Sequence, residues 1–151
     1  MYTVDELDTV TERSDVPQSS VGAPCPQISA GEHFLHLAYY LEKSEGEDCA
    51  VVRFVRPYAH MFGPPNDEAL SAHPLARRGL KPYAAFEVRS SSWIRALEQM
   101  NAVHRFHRPE PFGRLKHYIF AFHDSVFECI AESFEVSTHH GEVADALRSK
   151  D

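Results

Sequence analysis

Hydrophobic positions are spread unevenly along the chain. Residues 1–27 hold few bulky apolar side chains, being rich in Asp, Glu, Ser and Thr and then in Pro and Gly (VPQSSVGAPCPQ). Such a segment buries too little surface to offset its ordering entropy, so a mobile tail is expected there. From His33 the pattern changes. HFLHLAYYLEK is apolar almost throughout, as a strand buried on both faces would be. SEGEDC is a turn signal and CAVVRFVRPY, β-branched and aromatic, reads as a second strand. The two form a hairpin with Glu45, Gly46 and Glu47 near its tip.

The centre, HMFGPPNDEALSAHPLARRGLKPY, is irregular. Asn66 or Asp67 can cap a short helix through EALSAH, and His73-Pro74 ends it, because the residue before proline is pushed out of the helical region. YAAFEV reads as a third strand. SSSWIRALEQMNAVH carries apolar residues at helical spacing, with a serine at its start for a cap. HYIFAF and VFECIAESFEV are the last two strands, joined at His123-Asp124-Ser125, and GEVADALRSK is a short closing helix. Mostly strand-to-strand connections without βαβ alternation predict an α+β fold: an antiparallel sheet of about five strands, one main helix, a short helix in the central loop and a short C-terminal helix. Residues 1–27 are then an acidic tail and residues 28–151 a single domain.

Composition adds exclusions. At 151 residues, 43% hydrophobic and 25% charged, the chain is long enough for one self-sufficient core. Net charge is −7, and a net −4 of it lies in residues 1–27, where Asp5, Glu6, Asp8, Glu12 and Asp15 face only Arg13. A nucleic-acid partner needs a basic face, so none is expected. Cys25, Cys49 and Cys129 are an odd set without a C-x-x-C pair, which fits neither a disulfide framework nor a cysteine-based zinc site. MYTVDELDTV is acidic where a signal peptide is basic and then apolar, and no apolar run has membrane-spanning length. A cytoplasmic, membrane-independent protein is the expectation.

The stretch with the strongest chemical claim is FHDSVFECIA. Strand alternation sends Phe127, Cys129 and Ala131 one way and Val126, Glu128 and Ile130 the other. Cys129 thus sits where a buried, inert thiol belongs. Glu128 lies in mid-strand on a largely apolar face, so it must be paired, exposed or shifted in pKa. A solvated face is the favoured account. Asp124 and Ser125 serve the turn, and His123-Asp124-Ser125 is not a hydrolase triad, since chain neighbours rarely converge into a relay. A small enzyme would draw on His73, Asp67, His123 and Glu128, with a raised Glu128 pKa as its acid or base.

Ten histidines invite a metal reading, but none matches H-E-x-x-H. His33 and His36 would point to opposite faces of a strand, and His104 with His107 straddles the helix end, where the pair could converge with Glu110 or a hairpin residue. No metal site is assigned. The irregular loop is the better ligand candidate, with Asn66, Asp67, Glu68, His73 and Arg77 as its binding set. Arg77 and Arg78 suit a carboxylate clamp, or Arg77 pairs with its acidic neighbours.

The segments PNDEALSAHPL, GLKPY, EVRSSSWI and FHDSVFECIA resemble a group of uncharacterised small bacterial proteins, over roughly the region from Cys25 to Val136. The resemblance implies a bacterial origin and a compact part starting near residue 25, with no activity or site attached. The expected function is a non-catalytic binding module for a small ligand or a partner protein, with a sheet edge as a route to homodimerisation. The alternative is the His/carboxylate enzyme, metal-assisted or not.

Overall fold

The computed structural model describes residues 2–22 and 24–149. Its strands are β1 (Thr9–Arg13), β2 (Gln27–Ala30), β3 (Leu35–Tyr40), β4 (Cys49–Val55), β5 (Ala59–Gly63), β6 (Ala84–Arg89), β7 (Lys116–Ala121), β8 (Val126–Ala131) and β9 (Ser133–His139). The α-helices are α1 (Ser92–Asn101) and α2 (Val143–Arg148), and Asp67–Ala72 and Glu110–Arg114 are short 3-10 turns. Lys150, the last residue of the expected closing helix, lies outside the described residues.

An α+β architecture with antiparallel pairing is what forms, but the single sheet of about five strands becomes two. A five-stranded sheet runs β1-β6-β7-β8-β5 and a four-stranded sheet β2-β3-β4-β9. The run VFECIAESFEV, read as one strand, is the point of division. It breaks at Glu132, whose N–H donates to Val55 O at 2.9 Å, and the chain crosses from β8 in one sheet to β9 in the other.

The inner faces pack together through large aromatics. Phe54 of β4 meets Tyr118, Phe120 and Phe127 at ring-centroid distances of 5.5–6.2 Å, and Leu37, Tyr39, Val52 and Cys129 fill the same core. Burying each such ring contributes about 1.5–3 kcal/mol. Each sheet then has an outer face to cover. On the four-stranded sheet α2 does so, laying Val143, Ala146 and Leu147 over Ala38, Cys49 and Val51. On the five-stranded sheet, Phe86, Val88, Ile119, Ala121 and Val126 are covered by Leu70, Leu75 and Leu80 of the central loop and by Tyr2 and Val4.

That last contact changes the picture of the N-terminus. The segment expected as a mobile tail supplies β1, paired to β6 from Thr9↔Arg89 to Arg13↔Ala85, and an arm that crosses the sheet's outer face. Charge-assisted bonds hold it where apolar burial would not. Asp5 binds Arg95 at 2.6 and 2.8 Å, buried Asp8 accepts from Ser92 N–H at 2.7 Å, and Arg78 donates to Asp8 O at 2.9 Å and to Asp5 O. The Arg95 bonds hold the Asp5 carboxyl down at about 2. None of the described helices is long and apolar enough to cross a membrane.

Candidate functional site

On the outer face of the five-stranded sheet, β7 and β8 pair with Ile119 opposite Glu128 and His117 opposite Ile130, so His117 and Glu128 are diagonal neighbours. Glu128 is only 2% exposed, not on the solvated face expected of it. The covering layer explains why. His73 Nε2 lies 2.8 Å from Glu128 Oε2, His117 Nε2 lies 2.8 Å from Oε1, and the Tyr2 hydroxyl donates to Oε1 at 2.6 Å.

The tautomer of His73 follows from its backbone. Pro74 drives His73 into an extended conformation (φ −63°, ψ 140°), and the chain turns so that Leu75 N–H donates to His73 Nδ1 at 3.0 Å. Nδ1 is therefore the acceptor and Nε2–H the donor to Glu128. A metal ion would need the Nε2 lone pair that this tautomer lacks. Among the described residues no group of three or more His, Cys, Asp and Glu is placed to hold an ion.

Burial by itself would raise the Glu128 pKa. The hydrogen bonds from His117, His73 and Tyr2 outweigh it and hold the carboxyl down at about 2. The raised value expected of a general acid is thus reversed: Glu128 is a fixed anion that orients its donors. Burial, with the Glu128 charge beside it, pushes the Tyr2 phenol well above its ordinary value. Tyr2 also stacks on Trp93 at 5.4 Å and meets His117 edge-on at 5.2 Å.

His117 extends the network in the other direction. Its Nδ1 is 2.8 Å from Ser91 Oγ. Ser91 is the N-cap of α1, accepting from Ile94 N–H at 3.3 Å, and it follows Ser90, whose φ of 53° turns the chain sharply from β6 into the helix. Beside Ser91 opens a cleft of about 660 Å³, larger than the 290 Å³ and 490 Å³ clefts elsewhere on the molecule. Its wall includes Val88, Ile94, Phe112 and Leu115. The cations at its rim are engaged by carboxylates: Arg89 and Lys116 share Glu87, at 3.5 and 3.7 Å, with Arg13 also 3.5 Å from it, and Arg95 is engaged by Asp5.

The other candidates gather elsewhere or not at all. Asp67 and His123 do meet, with Tyr83 as third member: the Tyr83 hydroxyl donates to Asp67 Oδ2 at 2.6 Å, and His123 Nδ1 lies 3.0 Å from the same oxygen. The Tyr83 bond lowers the Asp67 pKa and pushes the phenol up to about 12. Asn66 is the cap of the 3-10 turn, accepting from Ala69 N–H at 3.0 Å. Glu68 and Arg77 are exposed, and it is Arg78 that reaches the arm. The proposed set Asn66, Asp67, Glu68, His73 and Arg77 is therefore not one constellation, and the proposed quartet of His73, Asp67, His123 and Glu128 splits into two pairs. His107 turns to Asn101 (2.9 Å) and Glu98 (3.9 Å). Cys129 is fully buried, and burial pushes its thiol pKa well up.

Sequence reasoning missed Tyr2, Ser91 and His117. The signal for His117 was available: it shares the outward parity of Ile119 and Ala121 on a strand whose other face is aromatic. Tyr2 carried no such signal. No family model matches this chain, and no curated protein or solved structure matches it significantly.

Proposed function

We propose that the chain is a binding domain for a small, uncharged and partly apolar molecule, seated in the cleft between β6, α1 and the Glu110–Arg114 turn. The observation that carries this reading is the cleft itself. Its 660 Å³ lies within the range that small-molecule sites occupy, about 300–1,000 Å³. Its wall is partly apolar, and its rim cations are engaged by carboxylates, Arg89 and Lys116 sharing Glu87 and Arg95 binding Asp5, so a ligand gains from burial and hydrogen bonding more than from net charge. Behind it, the network anchored on Glu128 ties β7, β8, the central loop and the arm together, which keeps the floor rigid.

This reading moves the expected ligand site from the Asn66–Arg77 loop to the start of α1. It favours a small molecule over a partner protein, because the apolar surface is concave. The test is titration with 4-nitrophenyl butyl ether, followed by amide chemical shifts. Shifts centred on Ile94, Gly113 and Leu115, lost in Ile94→Arg, are the expected result. Shifts centred on Asp67 and Tyr83 would move the site back to the loop.

A further inference from the structure

We infer that Ser91 is a nucleophile and that the cleft takes a carboxylic ester, cleaved through an acyl-serine. This rests on the binding reading above and names the chemistry of that same site. Three relations carry it. Ser91 Oγ lies 2.8 Å from His117 Nδ1, His117 Nε2 lies 2.8 Å from Glu128 Oε1, and Ser91, itself 3% exposed, is one of the residues that border the cleft. A hydroxyl, a base within hydrogen-bond reach and a buried carboxylate that orients the base are the roles an activated serine needs.

The donor and acceptor directions agree with those roles. Glu128 already receives Tyr2 O–H and His73 N–H, so it acts as an acceptor toward His117 as well. His117 then carries its proton on Nε2, which leaves Nδ1 as the acceptor for Ser91 O–H. The imidazole is used with its nitrogens in the opposite sense to a chymotrypsin-type relay, where the carboxylate holds Nδ1. The positive φ of Ser90 sets Ser91 on a sharp strand-to-helix turn, at the positive end of the ten-residue helix α1.

The reaction balances with water as the only co-reactant. Ser91 Oγ bonds to the acyl carbon while its proton passes to His117 Nδ1. The bond from that carbon to the alcohol oxygen breaks, and the departing alkoxide takes the proton from His117. Water then adds to the acyl-serine, giving its proton to His117 Nδ1, which returns it to Ser91 Oγ as the carboxylic acid leaves. The apolar wall of Val88, Ile94, Phe112 and Leu115 receives the acyl chain or the alcohol.

A purely structural Ser91 would cap α1 and satisfy His117 without reacting, and the experiment separates the two. The full chain is incubated with an alkyl fluorophosphonate, which phosphonylates an activated serine with loss of fluoride, and assayed with 4-nitrophenyl butyrate. Ser91→Asn keeps a capping oxygen but has no nucleophile. The inference expects one phosphonyl group mapped to Ser91. It also expects hydrolysis that falls at least about 100-fold in Ser91→Asn and persists in Asp67→Asn. An unmodified chain, an adduct mapped elsewhere, or hydrolysis surviving in Ser91→Asn overturns it. Should Ser91→Asn not fold, the mapped position of the wild-type adduct decides alone. If 4-nitrophenyl butyl ether binds at Ile94 while the chain stays unmodified, the nucleophile falls and the binding reading stands. If the ether does not bind and the chain stays unmodified, both fall.

Discussion

The molecule holds two groupings of the same chemistry, a carboxylate with a tyrosine hydroxyl and a histidine, in opposite surroundings. Glu128 with Tyr2, His73 and His117 is sealed beneath the arm and the central loop, the carboxylate being 2% exposed. Asp67 with Tyr83 and His123 sits at the surface, with the His123 side chain 43% exposed. The bond lengths are nearly the same. The consequences differ because water competes for every donor in the second group and for almost none in the first. In the sealed group a lost partner leaves a buried polar atom unpaired, while at the surface water replaces it.

The largest expected effect follows directly. Glu128→Ala strands Tyr2, His73 and His117 as buried donors and is expected to cost about 3–5 kcal/mol, read from urea unfolding. A change below that of Tyr2→Phe would mean that the cluster opens to solvent. Next comes the acid dependence. The Glu128 pKa is lowered from its ordinary 4.5 to about 2 on folding. Its contribution is therefore fully present above about 4.5 and is lost as pH falls through about 2. The difference in stability between wild type and Glu128→Ala should shrink across that window and be constant at neutral pH.

Tyr2→Phe keeps the stack on Trp93 and removes one donor, for an expected cost of about 1–2 kcal/mol. Because the Tyr2 pKa is raised on folding, the wild type loses stability as pH climbs past the phenol's ordinary 10.0, and the Phe variant should lose less there. The smallest effect belongs to Asp67→Asn. Its melting temperature should stay within experimental error of wild type, while the Tyr83 phenol, now held at about 12 by Asp67, returns toward 10 in an ultraviolet titration. A large destabilisation by Asp67→Asn would erase the distinction between the two groups.

Much of the fold is legible in local pattern. The apolar run at Leu35–Tyr40, the β-branched run at Cys49–Val55, the hairpin between them and the helix at Ser92–Asn101 follow from periodicity and turn chemistry alone. β1 and β5 were not readable, because both are short, half-exposed edge strands whose ladder partners are distant in sequence. The division of VFECIAESFEV between two sheets was equally hidden: a bend at Glu132 matters only once Val55 is there to accept its N–H.

The site divides along the same line. Alternation by itself determined that Val126, Glu128 and Ile130 share a face and that Cys129 points into the core, and the steric restriction before Pro74 determined that His73 leaves the helical region. Only the tertiary structure decided whether that face is wet or dry. Tyr2 lies 126 residues from Glu128 and His73 lies 55 away, and Ser91 reaches His117 across 26. A strand's parity is set by covalent geometry and can be read locally. The environment of a charge depends on whatever distant segment packs over it, here an arm held by Arg78, Arg95 and Ser92, and local pattern carries no record of that packing.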